Sequence, residues 1–304
     1  MFFGTPEFAV PSLEALLGEG FDVVAAVTQP DRPQGRSRST AVAPPVKTAA
    51  AAEDVPVLQP ARPTDPEFVE RLRALAPDMG VVVAYGHILK PDLLALPRHG
   101  MINVHPSLLP TLRGAAPVEW AILNGLPQTG VTIMQMDEGL DAGPILLQIP
   151  HDIAPELTGG ELSEHLSEMG AQALVEALGL FEANGLTPRP QQHALATYAP
   201  KLTRETARIR WEDPAERVAR LIRAFDPKPG AWTELDGLEV KLFGVRVVEG
   251  RGAPGEVRTT DDGLRIATGR GTVAIDDVQP AGKPRMTAAD WIRGRGAQAG
   301  QRFH

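Results

Sequence analysis

The 304-residue sequence contains no cysteine. That absence excludes a disulfide scaffold, a zinc–thiolate site and a thiol nucleophile. The sequence also lacks any apolar run near the roughly 18 residues that a membrane-crossing helix needs. Its first residues, MFFGTPEF, lack the basic and apolar segments of a secretory signal. These absences predict a soluble globular protein of the cytoplasm with no membrane partner.

Positive charge is in short supply, and it is unevenly spread. Lys and Arg total 30 against 38 Asp and Glu, which gives a net charge of −8. Residues 1–200 hold 11 cations and 23 anions, a balance of −12, whereas residues 201–304 hold 19 and 15, a balance of +4. The basic carboxyl-terminal third could meet a polyanion that the rest of the chain repels. Charge alone leaves open the alternative that these residues only form solvated faces.

The order of apolar segments predicts a catalytic domain over residues 1–185. Short apolar runs, such as DMGVVVAYG (78–86) and MINVH (101–105), alternate there with helical patterns such as the one at 65–77. Continuous hydrophobicity in these runs indicates strands that are buried on both faces. We therefore expect an α/β fold with a doubly wound, mostly parallel sheet, of the Rossmann-like kind.

A second, smaller domain is predicted over residues 205–304. The proline-rich and polar segment 186–204 lacks periodicity and is typical of a linker. After it, one helical pattern at 215–227 precedes five short strand patterns that are spaced by glycines. That order predicts a small β-barrel, for which an OB-like barrel is the first interpretation.

Asn103 and His105 lie at the carboxyl end of the strand pattern 101–105, where open parallel sheets bind their ligands. Their spacing of two places both side chains on one face. A neutral imidazole can accept a proton, and an amide can donate to an oxygen that becomes negative. Glycines flanking Asp141 permit a tight loop that could bring its carboxylate to the ring. The three residues fit acyl transfer to an amine, although each of these residue types alone is more often structural.

The segment NVHPSLLPTLRGAAP (103–117), followed by TGVTIMQMDEGLDAGPIL (129–146), closely resembles the formyltransferases that use 10-formyltetrahydrofolate. FFGTPEFAVPSLEALL, VTQPDRPQGR, KLTRETARIRW and VQPAGKPRM are similar to the methionyl-tRNA formyltransferase family in particular. The resemblance runs nearly the whole length of the chain. It implies an enzyme of translation initiation that transfers a formyl group from this folate to the α-amine of methionyl initiator tRNA, without a metal.

The same resemblance assigns roles to individual positions. It implies that Asn103 holds the oxyanion and that His105, oriented by Asp141, manages protons. It also implies a folate site built from one loop after the catalytic strand and from the walls of a pterin pocket. The residues of that site are Ser107, Leu108, Leu109, Pro110, Tyr85, Gly86, His87, Ile88, Leu89 and Asp137.

The segment 31–47, DRPQGRSRSTAVAPPVK, holds four cations against a single anion. In the resembled family this insertion enters the acceptor-stem region of initiator tRNA, and its functional arginine corresponds to Arg36. The alternative is a solvated loop. Arginine suits phosphates and base edges because its planar fork makes paired hydrogen bonds. The expected tRNA-binding cations are Arg32, Arg36, Arg38, Lys47, Arg204, Arg208, Arg217, Arg220 and Arg223.

Two other functions stay open at this stage. One is a related formyltransferase that acts on a nucleotide-linked amino sugar, and the other is a non-enzymatic tRNA- or folate-binding protein. The basic segment 31–47 and the lack of an appended dehydrogenase module favour tRNA. No heptad pattern indicates an obligate dimer, so a monomer is expected. Arg113 is expected either to meet a substrate phosphate or carboxylate or to be structural.

Only three residues precede Gly4. We therefore expect either that the first strand is short or that the true start lies upstream.

Overall fold

The computed structural model describes residues 1–33, 41–260 and 263–304. Its strands, in chain order, are β1 (Phe2–Gly4), β2 (Ala26–Val27), β3 (Arg32–Pro33), β4 (Ala41–Val42), β5 (Val57–Leu58), β6 (Gly80–Val83), β7 (Met101–His105), β8 (Arg113–Gly114), β9 (Gln128–Gln135), β10 (Ile145–Asp152), β11 (Tyr198–Ala199), β12 (Ala231–Leu235), β13 (Leu238–Val248), β14 (Val257–Thr260), β15 (Gly263–Ala267), β16 (Thr272–Pro280) and β17 (Met286–Thr287). Its helices are α1 (Val10–Gly18), α2 (Pro45–Ala52), α3 (Pro66–Ala74), α4 (Pro91–Leu94), α5 (Pro117–Leu123), α6 (Gly159–Glu182), α7 (Ala215–Ala224) and α8 (Ala288–Arg293).

The chain divides into two compact units. The first comprises residues 1–114, 129–152 and 163–198, and the second comprises residues 115–128, 153–162 and 199–304. Most of the segment expected to be a linker, up to residue 198, belongs to the first unit. The predicted bounds of the catalytic domain (1–185), the linker (186–204) and the smaller domain (205–304) stay a prediction.

The first unit is built on a seven-stranded sheet in the order β10-β9-β7-β6-β1-β2-β5. The five neighbouring strands β5, β2, β1, β6 and β7 are parallel to one another. Strand β9 runs antiparallel to β7. All four residues of β6 are buried, as the continuous apolar run predicted. Helix α3 begins where the Asp65 side chain accepts a hydrogen bond from Glu67 N at 3.2 Å. The mostly parallel α/β fold is therefore confirmed.

The strand patterns near the amino terminus are longer in the sequence than in the structure. The apolar run at 21–29 yields only the two residues of β2, because its neighbours β1 and β5 are three and two residues long. β1 is short but buried throughout. The core on one side of this sheet includes Phe3, Val27, Leu72 and Leu93.

The second unit is built on an antiparallel sheet in the order β12-β13-β16-β15-β14, with β17 paired to β16. The five predicted strands all form. Phe303 bridges Leu235 at the end of β12, and Arg302 bridges Glu256 just before β14. The carboxyl-terminal segment thus joins the two edge strands, which is what closing a small sheet into a barrel requires. The OB-like topology stays a prediction.

Helix α7 covers the core of the second unit. Its residues Ala215, Val218, Ala219 and Ile222 are buried at helical spacing, and they join a cluster that includes Trp211. Across both units, none of the described helices combines the length and the apolar character that crossing a membrane would need.

Helix α6 allows a test of the predicted burial with two leucines of one helix. Leu166 is fully buried, whereas Leu180 is 36% exposed. Leu166→Ala should lower the free energy of unfolding by about 2–5 kcal/mol, because it removes buried methyl groups and leaves a cavity. Leu180→Ala should cost about 1 kcal/mol or less, since part of its side chain already meets water. Urea denaturation followed by circular dichroism measures both, and equal losses would contradict the burial of Leu166.

Candidate active site

Strand β7 places Asn103 and His105 on one face, as their spacing predicted. Asn103 lies between Val82 of β6 and Met134 of β9, and His105 lies opposite Thr132. His105 is 4% exposed, whereas Asn103 is half-buried. The imidazole is therefore held inside the protein, and the neighbouring amide is open to a ligand.

One hydrogen bond fixes the tautomer of the neutral His105 ring. Its Nε2 atom lies 3.0 Å from the main-chain oxygen of Leu112. A carbonyl oxygen can only accept, so Nε2 carries the proton and Nδ1 of the neutral ring carries the lone pair. Burial lowers the pKa of His105 below its ordinary value, against the smaller raising effects of the Asp141 charge and the Leu112 bond. The ring is therefore a neutral base at pH 7.

Asp141 completes the arrangement. Its Oδ2 atom lies 3.7 Å from Nδ1 of His105 and accepts a hydrogen bond of 2.8 Å from the main-chain nitrogen of Gly114. The preceding strand, β9, ends at Gln135 opposite Ile102, three residues before His105 in β7. The loop after β9 must therefore fold back over the sheet to bring the carboxylate to the ring. There it can stabilise an imidazolium when Nδ1 takes a proton.

The segment after β7 is held by Thr132, which is fully buried in β9. Thr132 Oγ1 donates to the main-chain oxygen of Ser107 at 2.6 Å and accepts from the main-chain nitrogen of Leu109 at 3.1 Å. Ser107 Oγ donates to the oxygen of Thr111 at 2.5 Å, and Gln148 Nε2 donates to the oxygen of Leu109 at 2.9 Å. These bonds fix the main chain of the predicted folate-contacting segment 107–110, in which Leu108 and Pro110 stay half-buried and Leu109 is buried.

Sequence reasoning missed Thr132 and Leu112. A threonine in a strand pattern signals only β-branching, and a main-chain oxygen leaves no sequence signal at all.

The predicted pterin-pocket wall, residues 85–89, presents main chain rather than the Tyr85 side chain. The main-chain oxygen of Tyr85 accepts from Thr5 Oγ1 and from Gln29 Nε2, each at 3.0 Å. The Tyr85 ring is buried in edge contact with Phe3, and burial raises the pKa of its hydroxyl to about 12. Gly86 has a φ of +83°, and a Cβ there would come within 2.4 Å of Gln29 Nε2. The positive φ favours glycine at that position, whereas the Gln29 side chain could move aside.

Exposed apolar side chains accompany this wall and the loop after β9. Ile88 is 88% exposed and Leu140 is 60% exposed, whereas Leu89 is buried and His87 is half-buried. Asp137 is exposed, and its Oδ1 accepts from the main-chain nitrogen of Gly139 at 2.9 Å. Exposed apolar groups beside ordered main-chain polar atoms suit a flat heteroaromatic ligand with polar edges, so these residues fit a folate.

The basic segment 31–47 is described only in part, since Arg36 and Arg38 lie outside the described residues. Arg32 is exposed on β3, opposite Val42 of β4. Lys47 Nζ donates to both carboxylate oxygens of Asp31 at 2.9 and 2.8 Å, so its charge is paired within the protein.

The predicted cations of the second unit fall into two groups. Arg204, Arg208 and Arg217 are exposed, and the last two line a cavity of about 260 Å³. Arg210 lines the same cavity and was missed, although it alternates with Arg208 in the sequence. Arg220 and Arg223 are half-buried, and Arg223 donates to the oxygen of Leu157 at 2.9 Å.

Arg113 makes its contacts inside the first unit. It is 4% exposed, and its donors meet Gln191 and His193. Of its two expected roles, the structure thus supports the structural one. Within the part of the chain that the structure describes, no three His, Asp or Glu side chains are grouped to hold a metal ion.

Comparisons with known proteins agree with this geometry. The family model for formyl transferases matches residues 1–178, and the model for the formyl transferase C-terminal domain matches residues 201–296. The chain is 48% identical over 303 residues to a methionyl-tRNA formyltransferase of Syntrophus aciditrophicus, covering 99% of this chain and 97% of the relative. It is also 48% identical over 307 residues to one of a Roseiflexus strain, covering 100% and 94%.

A solved structure shows the same fold at low sequence identity. The N-formyltransferase of Helicobacter canadensis, solved with folinic acid and dTDP-3-aminofucose, superimposes with a TM-score of 0.68 at 19% identity. The match covers 92% of this chain and 98% of that one. The fold is thus common to formyltransferases of different substrates, and the near-complete match to relatives at 48% identity decides the family. The chain belongs to the methionyl-tRNA formyltransferase family.

Proposed function

We propose that this protein transfers the formyl group of 10-formyltetrahydrofolate to the α-amine of methionyl initiator tRNA. The observation that carries the proposal is the buried, neutral His105, whose Nδ1 faces Asp141 beside the open amide of Asn103. Family membership supplies the substrates.

The chemistry needs one proton acceptor and one oxyanion donor. When bound, 10-formyltetrahydrofolate supplies the formyl group. Nδ1 of His105 accepts the proton that the attacking amine loses, and the Asp141 carboxylate stabilises the resulting imidazolium. The side-chain amide of Asn103 donates to the oxygen that gains negative charge during the attack. The bond between the formyl carbon and N10 of the folate then breaks, and the imidazolium returns its proton to N10, so that tetrahydrofolate leaves.

Substrate binding follows from the placement of the remaining residues. We assign the folate to the ordered main chain and apolar side chains of Ser107, Leu108, Leu109, Pro110, Tyr85, Gly86, His87, Ile88, Leu89 and Asp137. We assign the tRNA acceptor stem to Arg36 and its neighbours in the segment 31–47, and tRNA phosphates to the exposed arginines of the second unit. We further propose that the chain acts as a monomer in the cytoplasm.

His105→Ala and Asn103→Ala should each lower kcat by roughly 100-fold or more, the usual scale for a positioned base or oxyanion donor. The assay is formyl transfer from 10-formyltetrahydrofolate to charged initiator tRNA, and His165→Ala, at an exposed histidine, is the control. More than about a tenth of normal turnover in either variant would remove that residue from the mechanism. Transfer by the wild type to a nucleotide-linked amino sugar, but not to the tRNA, would overturn the proposed substrate.

The pH dependence of the rate tests the pair of His105 and Asp141. The neutral ring is the active form, and burial lowers its pKa, so kcat/KM should fall only as the pH drops below about 6.5, the ordinary histidine value. Asp141→Asn removes the charge that raises this pKa. The acid limb should therefore move to still lower pH, while the plateau falls by roughly 100-fold or more. An unmoved limb with a near-normal plateau would show that Asp141 has no part in the reaction.

The two basic surfaces should differ in their response to salt. Arg208→Ala should reduce the salt slope of tRNA binding by about one, because it removes one phosphate contact. Arg36→Ala should lower kcat/KM far more than its single charge predicts, since it positions the acceptor end. Lys47→Ala should cost little tRNA affinity, because Asp31 already pairs its charge. Equal losses for Arg36→Ala and Lys47→Ala that vanish together at high salt would show that segment 31–47 is only an electrostatic patch.

A further inference from the structure

A buried arginine stands behind the loop that carries Asp141. The guanidinium of Arg113 donates through Nε and Nη2 to Oε1 of Gln191 at 3.1 and 2.6 Å, and Nη2 also meets Nδ1 of His193 at 3.1 Å. Within residues 1–33, 41–260 and 263–304, no carboxylate forms an ion pair with Arg113. A buried cation is costly unless its donors are satisfied, so Arg113 depends on these neutral partners.

Gln191 links Arg113 to the Asp141 loop. Its Nε2 atom donates to the main-chain oxygen of Asp141 at 2.9 Å and to that of Gly143 at 2.7 Å. The orientation of this amide is fixed by chemistry, because a guanidinium can only donate and two carbonyls can only accept. Gln191 is 6% exposed, so water does not compete freely for these bonds.

The charge of Arg113 strengthens the hydrogen bonds that Gln191 donates to the loop. Hydrogen bonds from a cation are shorter and stronger than neutral ones, which agrees with the 2.6 Å contact. Two charged donors on the amide oxygen polarise the amide, and its N–H groups then bind the two loop carbonyls more tightly. Arg113 therefore acts on the loop through Gln191.

The loop needs such support. Asp141 has a φ of +47°, a conformation that non-glycine residues adopt uncommonly. A Cβ at Gly143 would come within 1.9 Å of the main-chain oxygen of Gln135, so the loop is also tightly packed. The Asp141 carboxylate itself has one hydrogen bond from the main chain, from Gly114, the residue next to Arg113.

We propose that Gln191, polarised by the buried Arg113, is the positioning residue that holds Asp141 against His105. Gln191 lies outside the set that the sequence marks as catalytic or substrate-binding, and Arg113 contacts it rather than an exposed ligand site. The inference rests on the proposed function, since it assigns these residues a part in formyl transfer. It predicts that loss of the Gln191 amide acts on turnover only through Asp141.

The decisive variant is Gln191→Glu, which keeps an acceptor for Arg113 but has no N–H for the two carbonyls. We expect kcat to fall by roughly 10- to 100-fold, the scale of a small misplacement of a catalytic group. The KM values for folate and tRNA should stay within about twofold of the wild type, because uniform binding is untouched. Gln192→Ala, at the adjacent exposed glutamine, is the matched control and should retain normal kcat.

A double-mutant cycle separates positioning from a general structural role. In single-turnover formylation, Gln191→Glu should slow the Asp141→Asn enzyme far less than it slows the wild type, since the group it positions is already disabled. Equal slowing in both backgrounds, or a loss confined to KM, would overturn the inference.

The failure of this inference is distinguishable from failure of the proposed function. A wild-type protein that does not formylate methionyl initiator tRNA would overturn the proposed function. An active wild type with an impaired Asp141→Asn variant and an additive cycle would overturn only the role of Gln191.

Discussion

The hydrogen bond from Nε2 of His105 to the oxygen of Leu112 is the constraint on which the site depends. Because the carbonyl can only accept, it fixes the tautomer and leaves the lone pair on Nδ1, which faces Asp141 at 3.7 Å. Nδ1 of His105 and Oδ2 of Asp141 are both acceptors, so no hydrogen bond joins them until Nδ1 takes a proton. The pair is thus poised to take a proton, and the burial that lowers the pKa of His105 keeps the ring neutral beforehand.

Three consecutive residues serve both partners of that pair. Leu112 accepts from His105, Arg113 reaches the Asp141 loop through Gln191, and Gly114 N binds the Asp141 carboxylate. Leu112 has a φ of +61°, a strained conformation of about 1–3 kcal/mol for a non-glycine residue. The main-chain nitrogen of Leu112 donates to Thr197 Oγ1 at 2.9 Å, and that of Arg113 donates to the main-chain oxygen of Thr197 at 2.9 Å. These two bonds offset the strain.

Arginine and lysine side chains have different surroundings in the two units. The first unit buries Arg113 among neutral partners and pairs Lys47 with Asp31. In the second unit, Arg204 and Arg217 are exposed but pair with Glu239 and Asp213, and the exposed Arg208 lies over the Trp232 ring. Residues 201–304, with a balance of +4, would attract a polyanion more than residues 1–200, with a balance of −12.

The sequence by itself determined the parallel α/β order, the strands of the second unit, and the placement of Asn103 and His105 on one face of β7. These features follow from the period of apolar residues along a short stretch of chain, which is a local property. Only the tertiary structure decided the tautomer of His105, the support by Thr132 and Gln191, and the pairing of Lys47. Each depends on groups that are distant in sequence, such as Arg113 and Gln191, 78 residues apart, or on main-chain oxygens that every residue carries. Hydrogen-bond partners of that kind are set by how elements pack and loops return, and no spacing of residue types encodes them.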